Sequence, residues 1–206
     1  MKKITPLLLF ALVLVSSIST TFAQVSIGIK AGPNFSNIDT EASANENYKS
    51  RTGFHGGGFV LFKFSKIGIQ PEVLFSQQGS TVRINQEDFK SNFSYINVPI
   101  IVKLYTVAGI NLQVGPQFGF LTTARSKYDP TNGKTFSSME DVSEAYNKSD
   151  MTLALGVGWD LPFGLSVDGR YNWGLSDIKS GAGATVKNQV WQFSVGYKLF
   201  KFGKDQ

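Results

Sequence analysis

His55-Gly56-Gly57-Gly58 is the first stretch of this 206-residue chain that could do chemistry. A histidine beside a glycine run resembles the oxyanion-hole segment of some esterases, where backbone N–H groups meet a developing oxyanion. Such a mechanism also needs a nucleophile on a Gly-x-Ser-x-Gly turn, and the chain has none. Ser36, Ser50 and Ser94 remain as candidate nucleophiles for His55 as general base, without any spacing to support them. A glycine run packed closely in a strand explains the same residues more simply. His55 is the only histidine and there is no cysteine, which excludes the usual zinc ligand sets.

Glu140, Asp141 and Glu144 have the residue types for calcium, but a solvated helix face is the commoner meaning of such a cluster. Gly181-Ala182-Gly183 lacks the Gly-Lys-Ser/Thr that completes a phosphate-binding loop. No catalytic, cofactor-binding or metal-binding residue is assigned from these patterns, and no cofactor is expected. The remaining charges of interest sit inside alternating segments: Lys30, Glu72, Lys103, Asp160, Asp168, Arg170 and Lys198.

Those segments must position them. In residues 110–120, Ile110, Leu112, Val114, Pro116, Phe118 and Phe120 share one parity. Asn111, Gln113, Gly115, Gln117 and Gly119 share the other. Successive side chains of a strand point to opposite faces, so one face is apolar and the other carries amides and glycine. The same alternation predicts strands over 25–35, 67–82, 93–105, 151–160, 165–175 and 189–200. Residues 53–64 also read as a strand, with apolar residues on both parities and no clear facing. The connections near 65–66, 108–109 and 162–164 are tight. Those over 36–52, 83–92, 125–150 and 176–188 are long and polar. Within the third, Ser137-Ser138-Met139-Glu140 has the pattern of a capping box, which predicts a short helix up to Tyr146.

The N-terminus has a different logic. Lys2-Lys3, the apolar run of residues 7–15 and Thr21-Phe22-Ala23 have the layout of a secretory signal peptide over 1–23. A domain over 24–206 remains. Its formal charge is 5 − 2 = +3 once Lys2 and Lys3 are removed, with no dense basic block to suggest nucleic acid. An exported chain without disulfides and without a later apolar helix can live in a membrane only as a closed β-barrel.

Eight alternating strands fit either a soluble lipocalin-like barrel or a membrane barrel. A water-facing surface normally carries many charges, whereas the polar parity here is Gly, Ser, Asn, Gln and Thr with few charges. Tight turns at one end and long loops at the other also mark outer-membrane barrels. Lipid therefore belongs on the apolar face. Tyr105, Trp159, Tyr171, Trp173 and Trp191 are expected in the interfacial aromatic girdles. The seven strand charges then point inward and must pair, for example Glu72 with Lys103, or Asp168 with a neighbour of Arg170. An eight-stranded lumen is just filled by side chains, so no open pore is expected. Trp191, Phe193, Val195, Tyr197 and Leu199 give the last strand the look of the signal that barrel assembly machinery reads.

The whole 24–206 segment resembles the PorT-type outer-membrane β-barrel family, often labelled "porin family". The residues that carry the resemblance are Gly28-Ile29-Lys30-Ala31-Gly32 with Asn34-Phe35-Ser36, Gly53-Phe54-His55, and above all Gln70-Pro71-Glu72-Val73-Leu74-Phe75-Ser76-Gln77-Gln78-Gly79. Tyr95-Ile96-Asn97-Val98-Pro99 with Lys103, Gly115-Pro116, Gly156-Val157-Gly158 and Arg170-Tyr171 complete it. Members often carry an acid where Asn97 stands. The resemblance implies an eight-stranded antiparallel up-and-down barrel, similar in shape to the small OmpA/OmpX type, in the cell outer membrane. It implies no reaction. The founding type is linked to a protein-secretion system, a role that barrel similarity does not transfer. The reading is a non-enzymatic barrel with a closed lumen, acting structurally or through its long loops. Its expected partners are outer-membrane lipid, the assembly machinery, and envelope proteins or surface ligands such as lipopolysaccharide. A lipid-modifying barrel enzyme around His55 and a soluble periplasmic binder are the alternatives.

Overall fold

Alternation builds wall. The computed structural model describes residues 24–40, 47–84, 87–128, 135–145, 147–176 and 186–203. The expected signal peptide over 1–23 and Gly181-Ala182-Gly183 lie outside the described residues. Among the described residues nine strands form: β1 (Gln24–Thr40), β2 (Asn47–Phe64), β3 (Ile67–Ile84), β4 (Glu87–Tyr105), β5 (Ile110–Tyr128), β6 (Thr135–Asp141), β7 (Ser149–Asp160), β8 (Leu165–Gly174) and β9 (Val186–Phe202). Eight of them close into an antiparallel barrel in the order β4-β3-β2-β1-β9-β8-β7-β5, and β4 pairs with β5 to seal it. β6 is the exception. It pairs with β5 from Arg125 to Tyr128, beyond the stretch from Ile110 to Phe120 where β7 pairs, so it takes over the place of β7 in the wall.

The strands run further than the alternation predicts. Most of the segment over 83–92 and parts of those over 36–52 and 125–150 are strand, while 41–46, 85–86, 129–134 and 177–185 lie outside the described residues. The physical reason is that the ladder is made by backbone groups, and an apolar stripe is needed only where lipid lies outside. The outward face of β3 is apolar up to Phe75 and then turns to Gln77. On β4 it is Asn92 and Ser94 before Ile96. About 9–11 tilted residues cross a bilayer. β1 to β5 have 17 to 19, so they project well past the membrane at the end away from the tight turns. The helix expected from Ser137 to Tyr146 is also corrected. Ser137 to Asp141 belong to β6, and only Ser143–Ala145 forms a single 3-10 turn. The segment is polar, with no apolar stripe to bury as a helix.

Facing follows the predicted parity. The apolar side chains point outward and the polar ones inward, the reverse of a soluble barrel. Arg170 is 2% exposed, whereas Leu155 is 40% and Val157 57% exposed. β2 now has a definite facing: His55, Phe59 and Leu61 are buried inside, and Phe54 and Phe64 are exposed outside. Trp159, Trp173 and Trp191 are exposed as expected for girdle residues, and Tyr171 packs against Trp191 with ring centroids 4.9 Å apart. Tyr105 does not join them. It is buried inside, with its hydroxyl donating to Asp160 Oδ2 at 2.8 Å. Its parity matches Lys103, and parity decides facing where residue type alone does not.

Two of the glycines show what the geometry requires. Gly109 turns the chain between β4 and β5 with φ +82°, a region that L side chains avoid. Gly158 faces the lumen, and a Cβ there would run into Gln113 Nε2, Asp168 Oδ1 and Asn111 Oδ1. Gly158→Ala is therefore expected to cost about 1–3 kcal/mol by overpacking a fixed polar cluster. Gly169 faces out with only ordinary contact to the Phe193 ring. Gly169→Ala is the control that should leave the urea midpoint in micelles nearly unchanged.

Candidate functional site

The inward parity carries ionic side chains into a space with little water. Unpaired, each would be costly. Lys30, Glu72, Lys103, Asp160, Asp168, Arg170 and Lys198 are paired with one another, in one connected network. Arg170 of β8 donates to Glu72 of β3 through both terminal nitrogens, Nη1 to Oε2 at 2.9 Å and Nη2 to Oε1 at 2.7 Å. β8 and β3 are four strands apart in either direction around the barrel, so this bidentate pair crosses the lumen. Lys30 of β1 reaches Asp168 at 2.9 Å and Glu72 at 3.4 Å. Lys103 of β4 lies 3.2 Å from Asp160 and 3.7 Å from Asp168. Lys198 of β9 donates to Asp160 at 2.8 Å.

Amides complete it. Gln70 donates to Glu72 at 2.6 Å, and Gln113 accepts from Arg170 Nε at 2.6 Å while donating to Asp168 at 2.5 Å. All seven charges assigned inward from sequence are here. The pairing differs from expectation: Glu72 pairs with Arg170 and Lys30, not Lys103, and Lys103 pairs with Asp160 and Asp168. Sequence parity gives the facing but not the level, because strand tilt and stagger set which inward residues meet. Every wall strand except β2 supplies a member. β2 contributes Phe59 and Leu61 instead, both buried inside.

Away from the tight turns, the next level is a belt of neutral polar side chains. Asn34, His55, Ser76, Asn97, Gln117, Thr152, Asn172 and Gln192 are all buried, one from each wall strand. One arc is satisfied internally. His55 Nδ1 is 2.8 Å from Asn34 Oδ1, His55 Nε2 is 2.8 Å from Ser194 Oγ, and Asn34 Nδ2 donates to Ser76 Oγ at 2.9 Å. On the other arc, Asn97 Nδ2, Thr152 Oγ1, both amide atoms of Asn172 and Gln192 Nε2 have no protein partner. Buried polar atoms of this kind are met by internal water.

Ser194, His55 and Asn34 have the arrangement of nucleophile, base and orienting group. Sequence reasoning proposed three other serines. Ser36 instead sits inside the wall, donating to the Gly79 carbonyl at 2.6 Å and accepting from its N–H. Ser94 is on the outward parity, with the polar residues that follow the apolar band. The Ser50 side chain lies outside the described residues. Ser194 carried no sequence signal, since its contact with His55 joins positions 139 residues apart.

The acidic trio is dispersed in role. Ser138 donates to Glu140, and the Ser143 backbone N–H donates to Asp141 Oδ1 at 2.9 Å. Hydrogen bonds from Ser143 hold the Asp141 carboxyl below the ordinary aspartate range. Among the described residues no three His, Cys, Asp or Glu side chains are grouped to hold a metal.

Two cavities flank the network. One of about 370 Å³ lies on the projecting ends of β2 to β5, lined by Gln77, Asn92, Ser94, Thr123 and Arg125. The other, of about 400 Å³, is the mouth at the tight-turn end, lined by Lys63, Lys198, Lys201, Asp160 and Trp159 among others.

Comparison with known proteins agrees with this architecture. No curated protein matches the sequence. Two solved structures with similar folds are Ail, the attachment invasion locus protein of Yersinia pestis, and the Neisserial surface protein A (NspA). Ail, in complex with the heparin analogue sucrose octasulfate, is 16% identical, with a TM-score of 0.50 over 88% of this chain and 100% of Ail. NspA is 13% identical, with a TM-score of 0.54 over 85% of this chain and 99% of NspA. The model of the outer membrane protein beta-barrel domain family matches residues 22–180. With its apolar band outside, its ions inside and that match over most of its length, the chain belongs to the outer membrane protein beta-barrel domain family and resides in the outer membrane.

Proposed function

We propose that this chain is a non-enzymatic barrel of PorT type with a closed lumen, acting through the projecting ends of its strands. The Arg170–Glu72 pair across the lumen carries the reading. An ion entering the barrel would have to displace a bidentate, fully desolvated pair that is itself braced by Lys30 and Gln113. The projecting ends are the surface left for partners, and residues that bind ligands concentrate on segments held by a rigid scaffold. Ail, a barrel of similar fold, was solved with a sulfated heparin analogue, which makes sulfated or phosphorylated surface glycans a reasonable ligand class for these ends. Lipid of the outer membrane surrounds the band, and the β9 side chains Trp191, Phe193, Val195 and Tyr197 are the signal offered to the assembly machinery.

Planar-bilayer recording tests the closed lumen. The expected trace from purified, folded protein shows no sustained conductance of nanosiemens order; a steady open level of that size would sink the reading. The second reading is a hydrolase, and the Ser194–His55–Asn34 geometry favours it. Against it stands the burial of all three residues among lumen side chains. A fluorophosphonate probe decides between them. The folded protein is expected to remain unlabelled, and labelling that disappears in Ser194→Ala would establish the enzyme.

A further inference from the structure

The tight-turn mouth is basic. Lys63, Lys198 and Lys201 line a cavity of about 400 Å³ with one carboxylate, Asp160, which Lys103 also engages from below. Their donors are only partly used. Lys198 makes one bond to Asp160, Lys201 one bond to the Pro162 carbonyl at 3.2 Å, and Lys63 lies over the Tyr105 ring at 4.4 Å from its centroid. Three ammonium groups around one space, against one shared carboxylate among the described residues, leave a positive field with N–H donors to spare.

Short turns face the periplasm in outer-membrane barrels. This mouth therefore opens where the inner leaflet of the membrane ends. Trp159, on the outer wall, also lines the cavity, and Phe200 and Phe202 are exposed at the end of β9, two strands away. Apolar wall thus continues up to the lysines.

We propose that the periplasmic mouth is a phosphate-binding site built by Lys63, Lys198 and Lys201. Lysine serves phosphate as a compact point charge with rotatable donors, and three of them suit an anion whose charge is spread over several oxygens. The phosphate arrives either on a phospholipid headgroup, whose acyl chains then lie on the Trp159 and Phe200 wall, or as free inorganic phosphate. The ionic network below the site stops the anion from travelling further.

The test uses the full folded barrel in micelles, its fold checked by heat-modifiable gel mobility. Lys63→Gln/Lys201→Gln removes two of the three charges without touching the lumen pairs. Lys66→Gln, on the turn beside the mouth but outside its lining, is the control. Native mass spectrometry counts retained phosphatidylglycerol against an uncharged diacylglycerol. In parallel, inorganic phosphate is titrated while lysine side-chain NMR signals are followed. Retention of phosphatidylglycerol that drops about tenfold or more in the double variant, and not in Lys66→Gln, supports the site with lipid as the source. Lysine shifts that saturate with inorganic phosphate in the wild type and the control only, without lipid retention, support it with free phosphate as the source. Neither response, or responses equal in the double variant and Lys66→Gln, overturns it.

Discussion

Arg170→Ala lowers the stability of the folded barrel by about 3–5 kcal/mol, because it leaves a carboxylate in the lumen without its bidentate partner. Glu72 would keep Lys30 at 3.4 Å and Gln70 at 2.6 Å, which places the loss towards the lower end of that range. Gln113 loses its donor as well, since its Oε1 accepts from Arg170 Nε. Arg170→Lys does not restore the wild type, because an ammonium cannot span both carboxylate oxygens as the guanidinium fork does. The informative variant is Arg170→Met with Glu72→Met. Replacing both members of a buried pair by apolar side chains of similar volume is often neutral, so the double variant should be more stable than Arg170→Ala. Urea unfolding in micelles, followed by the heat-modifiable gel shift, measures all of them. A double variant as unstable as the single would show that Arg170 acts through packing and not through the charge it neutralises.

Leu155→Arg tests the other face. Leu155 lies at the middle of the outward stripe of β7, between Met151 and Trp159. An arginine at the midplane of a barrel's lipid face costs about 2–4 kcal/mol, falling to about 0–1 near the interfaces. Ser94→Arg, beyond the apolar band of β4, should therefore be nearly silent. Unfolding from lipid vesicles gives the comparison. Equal small effects at both sites would mean that water, not lipid, lies outside the wall.

Facing was legible in the sequence because period two is a property of residue type. All seven inward charges, and the amides Asn111, Gln113 and Gln117, were placed correctly by parity alone. Tyr105 departs from the girdle expected of an aromatic near a strand end because its parity puts it beside Lys103. The extent of the strands was not legible, since the pattern fades where lipid ends while the backbone ladder continues. Pairing partners across the lumen, such as Arg170 with Glu72, depend on stagger, which no single strand encodes. The end of the last strand shows both limits. Leu199, Phe200 and Phe202 are all exposed because a bulge sets Phe200 opposite Ile27 and Lys198 opposite Gly28. The extra residue at Leu199 resets the facing, as bulges do, and the two phenylalanines take the outer side. Ser194 beside His55 had no local signature at all.

The ionic network does not reach every strand of the wall. Its members tie β1, β3, β4, β5, β7, β8 and β9 to one another through the interior, like lacing drawn across a cylinder. β2 is not laced. Between His55 and its tight turn at Ser65 it offers the lumen Phe59 and Leu61, with Lys63 at the mouth over the Tyr105 ring, and it is held there by its ladders to β1 and β3, by apolar contact and by that one ring contact. If the wall has a seam, it runs beside that stave: amide exchange in its tight-turn half should outpace that of the strands opposite, and a chain opening sideways into the bilayer would part there first.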